Sequence, residues 1–316
     1  MLLNMKNNIR EYDIKELIRA VTEPQPSLLY HYTSQKGLLE IVKNKTIWAT
    51  NIHYLNDSLE YKYAAKLIQE VIDDYSSSLP SNSEGVPREL KISSNEIQKM
   101  LLESMGKIIS SPTRFHVYVC SFSEEGDQLS QWRGYCPNGN GFSLGFETSH
   151  LSGQMVKYSF GLVKCVYDRN EQVKIVREII DEAMSDLKSR LGDNDDIKID
   201  VVSETLTTVM IQAAAYLVLL ITRLKHETFH EEKEWRFVAL FDDNQPRPFC
   251  FREGKSMIIP HTVIPLADND ESIKIVRIII GPTPHPQLAQ KAVQLLMESN
   301  KIKCEVELSK IPYRIW

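Results

Sequence analysis

The stretch Lys225-His226-Glu227-Thr228-Phe229-His230-Glu231-Glu232-Lys233-Glu234-Trp235-Arg236-Phe237 admits two readings, and they build different structures around it. Taken through His230 it is His-Glu-x-x-His, which on an α-helix puts His226 and His230 on one face for zinc, with Glu227 as general base. Taken from Glu232 onward it is Glu-x-Glu entering a strand, where alternation points Glu232 and Glu234 the same way, about 7 Å apart. The first reading is a zinc-dependent hydrolase; the second is a sheet with two carboxylates at the mouth of a cleft. Trp235 to Phe241 changes quickly to a strand pattern, and nothing nearby supplies a third metal ligand except Glu253. Two like charges on a strand are commonly a solvated edge, here with Lys233 and Arg236 as neighbours.

Outward from this stretch, strand patterns are broken by a helical block. Leu28 to Tyr32 reads as a strand, Ser34 as an N-cap, and Leu38, Leu39, Ile41 and Val42 as the buried face of a short helix. Ile47 to Thr50 returns as a strand, and helices are expected near Leu59–Tyr75 and Glu96–Ile109. The Ser-, Pro-, Asn- and Gly-rich Ser76–Ser94 lies between them and reads as a mobile loop. Phe115–Phe122 is apolar on both faces, as in a central strand covered on both sides. Phe142–Phe146 and Leu162–Tyr167 continue the sheet. Asp168–Arg190 and Asp200–Leu224 then form a helical insertion at about 168–224, joined by the acidic turn Gly192–Asp196. Strands resume over Trp235–Phe241, Phe249–Arg252, Lys274–Ile280 and Lys303–Leu308, with a helix over Pro286–Glu298. Ile9–Val21 has helical spacing and makes residues 1–26 an N-terminal arm ahead of a single α+β domain, 27–316.

Composition narrows the function classes. With 42% hydrophobic content in 316 residues the chain can bury a sizeable core, and a formal charge of -5 provides no general basic field for coating nucleic acid. The five cysteines are odd in number, widely spaced and never Cys-x-x-Cys, so they read as reduced and mostly buried rather than as disulfides or zinc ligands. Met1–Asp13 lacks the apolar core of a secretory signal, and the apolar run Val209–Ile221 reads as too short to span a bilayer. The expectation is a cytoplasmic protein with no membrane partner.

Three distant segments are candidates to converge on one site: Tyr30-His31-Tyr32-Thr33, Gln131-Trp132-Arg133-Gly134-Tyr135 and Glu232–Arg236. A histidine such as His31 in an aromatic, apolar strand is commonly a hydrogen-bonded core residue. Trp132 and Tyr135, read as part of a Gly/Pro-rich loop, would either plug the sheet edge or give an aromatic ligand a stacking platform. Gly281-Pro282-Thr283-Pro284 before a helix could hold a phosphate, but its prolines remove two amide donors, and an ordinary strand-to-helix turn fits better. Arg133, Arg236 and Arg314 are pyrophosphate partners by side-chain type alone, and no placed base activates Cys136.

The ordered set Leu-Tyr-His-Tyr-Thr-Ser (29–34), Gly37-Leu38-Leu39, Leu55-Asn56-Asp57, Cys120-Ser121-Phe122-Ser123, Trp132–Tyr135, Gly141–Phe146, Glu232–Arg236 and Ile279–Pro282 resembles the bacterial family catalogued as domain of unknown function 2971. The resemblance runs from about Leu28 to Pro282. That family in turn resembles the His-Tyr-Glu class of ADP-ribosyltransferases, which implies an α+β fold with a split, twisted, mainly antiparallel sheet. It also implies roles: His31 orients the NAD ribose, Tyr135 stacks on nicotinamide, and Glu234 is the catalytic glutamate with Glu232 two residues before it. Tyr32, Trp132 and Arg236 would complete the cofactor-binding set. NAD would be consumed as a substrate, with no metal, by a bacterial toxin or anti-phage effector, or by an NAD glycohydrolase. The acceptor is open among protein, nucleic acid, small molecule and water, and an antitoxin or defence-system partner is implied. A zinc hydrolase on His226, Glu227 and His230, and a non-catalytic nucleotide- or partner-sensing module, are the competing readings.

Overall fold

The computed structural model describes residues 24–55, 58–80, 93–110, 116–136, 141–158, 160–192, 199–241, 250–254, 256–268 and 271–313. The helix expected over Ile9–Val21, the tip of the Ser76–Ser94 segment, the acidic turn after Gly192, and Arg314 lie outside these residues. By contacts the chain divides into two compact units. One comprises Met1–Tyr54, Val117–Cys165 and Thr228–Trp316; the other comprises Leu55–His116 and Val166–Glu227.

The first unit is built on a mixed α+β plan with a mostly antiparallel open sheet. Its elements begin with β1 (Leu28–Ser34), α1 (Gln35–Asn44) and β2 (Thr46–Asn51). The helical unit then contributes α2 (Ser58–Ser78) and α3 (Ser94–Ser110), before β3 (His116–Ser123), α4 (Leu129–Tyr135), β4 (Gly141–Glu147), α5 (Thr148–Lys157) and β5 (Gly161–Lys164). Helices α6 (Arg169–Leu191) and α7 (Ile199–Ile221) return to the helical unit. The sheet is completed by β6 (Glu234–Phe241), β7 (Cys250–Glu253), β8 (Ile258–Pro265), β9 (Ile275–Ile280), α8 (Pro286–Ser299) and β10 (Glu305–Leu308). Its strand order is β10-β9-β4-β1-β3-β2-β8-β7, with β6 also on β3 and β5 on β6.

Local chemistry explains the start of this unit. The Ser34 hydroxyl accepts the Gly37 amide at 3.2 Å, ending β1 and capping α1, a contact worth about 1 kcal/mol. Leu38, Ile41 and Val42 bury one helical stripe, and Lys45 closes the helix in the left-handed region at φ 55°. Along β1 the alternation is strict. Leu29 packs into the main core with Phe122, Phe146, Trp235 and Phe237, whereas Tyr30 and Tyr32 face the other way, against Trp132, Cys136 and Ile279.

Three expectations change. Leu129–Tyr135 is a short helix rather than a loop, and its indole end is buried. Helix α5 and strand β8 were not expected at all: β8 carries Pro260 and Pro265, which argue against a strand when read locally. The apolar run at Val209–Ile221 belongs to a 23-residue helix, and Val201–Ile221 is long and apolar enough to cross a membrane by length and composition. Within its own unit α7 packs on α6 and α3, and 44% of its apolar window is buried.

In the helical unit α2 and α3 join α6 and α7, so two separate chain segments build what reads locally as one insertion. Its polar centre is Gln172, fully buried, whose amide donates to the Val166 and Lys225 carbonyls at 2.6 and 2.8 Å and accepts from the Tyr63 hydroxyl at 2.8 Å. The Lys225 ammonium, also buried, meets Glu60 at 3.0 Å.

Candidate functional site at the end of β3

Strand β3 has three partners and only two edges. It meets β1 at Ser123, opposite Tyr30, and β2 at Val119 and Tyr118, opposite Thr50 and Asn51. Between these levels the Ser121 carbonyl is met by a side chain: His31 Nδ1 lies 3.0 Å from it. With Nδ1 donating to a carbonyl, the neutral tautomer leaves Nε2 as an acceptor. The ring packs 5.5 Å from Phe122 and is partly buried. Burial pushes the imidazole pKa below its ordinary value, and the Ser121 carbonyl opposes that only in part. The imidazole is therefore neutral at physiological pH.

The second segment arrives at the same end of β3. The Ser123 hydroxyl donates to the Glu232 carbonyl at 2.7 Å, and the Glu124 amide donates to the Lys233 carbonyl at 3.2 Å. Residues 231–233 thus lie beside residues 123–128, with Gln128 Nε2 on the Glu231 carbonyl. Glu232 and Glu234 do not alternate along one strand as expected. Glu227–Glu232 is a 3-10 helix, Lys233 takes φ 42°, and β6 begins only at Glu234. Glu232 ends partly exposed. Glu234 is 3% exposed, and both its oxygens are taken by Arg236, Nε to Oε1 at 2.8 Å and Nη2 to Oε2 at 2.9 Å. The pair lies on the face opposite Trp235 and Phe237, which belong to the main core. His31 shares parity with Leu29, on the core side. The two segments therefore meet through backbone at one strand end, while the Glu234 carboxylate turns to the other face.

The aromatic candidates are structural where they are buried. The Tyr32 hydroxyl donates to the Glu125 carbonyl at 2.8 Å and accepts the Gln128 amide at 3.1 Å. Trp132 is 1% exposed, edge-on to Tyr32 at 4.8 Å, with its indole N–H on Asp127 at 2.8 Å; no face is open for stacking. Tyr135 is 39% exposed on α4, which packs over the Tyr30 and Tyr32 face of β1 and so away from the side to which His31 belongs. Arg133 stacks on Tyr313 at 5.0 Å. Gly281 lies beneath Trp132, where a Cβ would come within 2.9 Å of the indole, so its glycine is a packing requirement rather than a phosphate cradle. Cys136 is buried, and burial pushes its thiol pKa up to about 12.

The His-Glu-x-x-His reading fails on conformation. His226 precedes the 3-10 helix that carries His230, so the two histidines do not share one face of an α-helix as that reading requires. The boundary between the two units also falls inside the motif, between Glu227 and Thr228. Among the described residues no group of three or more His, Cys, Asp or Glu side chains is arranged to hold a metal ion.

Local reading missed the acidic turn Glu124-Glu125-Gly126-Asp127 that organises this strand end. Glu124 accepts the Trp235 indole N–H at 2.7 Å and meets Lys164 at 3.4 Å, and Glu125 meets Lys233 at 2.6 Å. Asp127 accepts from Trp132, from the Ser309 hydroxyl at 2.6 Å and from the Lys310 amide at 2.7 Å. The available signal was three carboxylates in four residues directly after a buried strand. No curated protein and no solved structure matches this chain. Residues 131–237, which run from within α4 through β4, α5, β5, α6 and α7 to the head of β6, match the family described as Protein of unknown function (DUF2971), the family that the ordered motifs resemble.

Proposed function

We propose that the protein consumes NAD, as an ADP-ribosyltransferase or an NAD glycohydrolase, and acts in bacteria as a toxin or anti-phage effector. The observation that carries this reading is His31, whose Nδ1 is fixed by the Ser121 carbonyl where β1 and β2 part along β3. The remote resemblance assigns the ribose-orienting role to this histidine. A neutral imidazole with Nε2 as acceptor suits a ribose hydroxyl donor, and fixing the sugar in one pose lowers the entropic part of the barrier. In the reaction the bond from the ribose anomeric carbon to nicotinamide breaks, and its electron pair leaves with nicotinamide. An acceptor oxygen or nitrogen, or water, bonds to that carbon and gives up its proton. We assign that proton to Glu232, whose backbone carbonyl lies against Ser123 and whose side chain is partly exposed. A carboxylate such as Glu232 favours the oxocarbenium-like transition state, whereas the Glu234 charge is neutralised by Arg236.

The experiment is nicotinamide release from NAD by the wild-type protein, by His31→Gln and by Glu232→Gln. The expected result is release by wild type and a fall of at least about tenfold in each variant. No release by wild type, or full release by His31→Gln, overturns the reading. A second reading, a module that binds a nucleotide without turnover, is favoured by Glu234: a carboxylate with both oxygens on Arg236 is already committed. Binding of NAD with no release of nicotinamide would select it.

A further inference from the structure

The sheet edge opposite β10 carries a cation, Arg252, that meets no counter-ion among the described residues. The pairing registers Thr50↔His261, His261↔Cys250 and Ile259↔Arg252 put Trp48, Thr50, His261 and Arg252 on one face of β2, β8 and β7. Ile47, Ala49 and Ile264 face the core from the other side. His261 is 3% exposed and packs against Trp48, ring centres 4.5 Å apart and planes tilted by 39°, while Trp48 itself stays 39% exposed. The Arg252 guanidinium reaches Thr50 Oγ1 at 3.4 Å, and its Nε is buried with no hydrogen-bond acceptor. The His261 ring is buried as well, beside the Ile259 backbone. Among the described residues no carboxylate pairs with Arg252.

Buried polar atoms are nearly always satisfied, and a guanidinium short of acceptors at one nitrogen favours an anionic partner at its outer nitrogens. Burial holds the Arg252 pKa below its usual value, and burial, with the Arg252 charge, holds His261 low against the opposing Ile259 backbone hydrogen bond, so this face carries the Arg252 charge beside a neutral ring. A guanidinium fork matches phosphate oxygens, and an exposed indole fixed from below by a second ring is a surface on which a base stacks.

We infer that Trp48, Thr50, His261 and Arg252 form a binding site for a phosphomonoester attached to an aromatic base, whether in a free nucleotide or at the end of a nucleic-acid strand. The phosphate takes Arg252 and Thr50, and the base lies on Trp48. The site stands apart from the NAD reading, because capture here involves no turnover and none of its residues.

The test is titration by calorimetry of the full chain with AMP, adenosine, inorganic phosphate and a 5′-phosphorylated tetranucleotide. AMP is expected to bind at least about tenfold more tightly than adenosine or phosphate alone, a loss of about tenfold being what one good charge-assisted contact provides. Tetranucleotide binding as tight as AMP assigns the strand end, and weaker binding assigns the free nucleotide. Arg252→Gln is expected to lose at least about tenfold in AMP affinity, and Trp48→Ala to lose the advantage of AMP over phosphate. Arg252→Met reports separately on stability and is expected to unfold no earlier than wild type. AMP affinity within threefold of wild type in Arg252→Gln, no saturable AMP binding by wild type, or early unfolding of Arg252→Met overturns the assignment.

Discussion

Replacing Glu234 by Gln tests what the carboxylate at the head of β6 does. In the structure it is 3% exposed, and both oxygens are held by Arg236 at 2.8 and 2.9 Å. Removing one member of a buried, hydrogen-bonded ion pair leaves the other charge in a poor environment and costs about 3–5 kcal/mol. The amide of Gln also turns a donor toward the guanidinium, so it does not restore the fork. A domain of 150–250 residues shifts roughly 2–4 °C per kcal/mol, which predicts unfolding about 6–20 °C below wild type. Differential scanning calorimetry of Glu234→Gln, Arg236→Met and the double variant Glu234→Met/Arg236→Met measures this directly. The double variant should recover most of the loss, since paired removal of a buried ion pair is often neutral or stabilising. A Glu234→Gln protein that unfolds within 2 °C of wild type would refute the view that the pair holds the strand end. It would also return Glu234 to the list of carboxylates free to serve chemistry.

Acid should unfold the protein early: burial lowers the His31 and His261 pKa values, so below about pH 6.5 the unfolded state takes up protons that the folded state refuses, and stability falls with pH until the lowered values are passed. Urea midpoints from pH 8 to 5 check this, and His31→Asn should flatten the slope; a midpoint that rises toward pH 5 contradicts it. Asp127→Ala removes the acceptor shared by Trp132, Ser309 and Lys310 and should cost about 2–4 kcal/mol while raising amide exchange at residues 309–310; unchanged exchange there would show that the tie is idle. Cys250 is exposed, whereas Cys120, Cys136 and Cys165 are buried, with the Cys120 and Cys136 thiol pKa values pushed up by burial. Native thiol titration should label Cys250 fastest, and labelling of Cys120 at a similar rate would contradict the core.

Local rules carried furthest where the cause is local. Ser34 caps α1 as its hydroxyl and position require, and the double-sided apolarity of Val117–Cys120 marks a covered strand. The Glu-x-Glu parity failed because β6 starts two residues later than alternation needs and Lys233 enters the left-handed region, a backbone choice that non-glycine residues make rarely. Gly134 and Pro137 suggest a loop, which leaves Trp132 open between an edge plug and a ligand platform; its burial comes from Tyr32 and Asp127, each brought there by tertiary contacts. The Arg252–His261 face was not legible, because it depends on β2 meeting β8 across more than two hundred residues of chain, and such registers leave no local periodicity.

The most direct test of the account is a crystal structure of the protein with a non-hydrolysable NAD analogue. The account predicts ribose density with a hydroxyl within hydrogen-bond reach of His31 Nε2, while Nδ1 stays on the Ser121 carbonyl. Density for the analogue elsewhere, or a His31 ring that remains screened from it, would contradict the proposal.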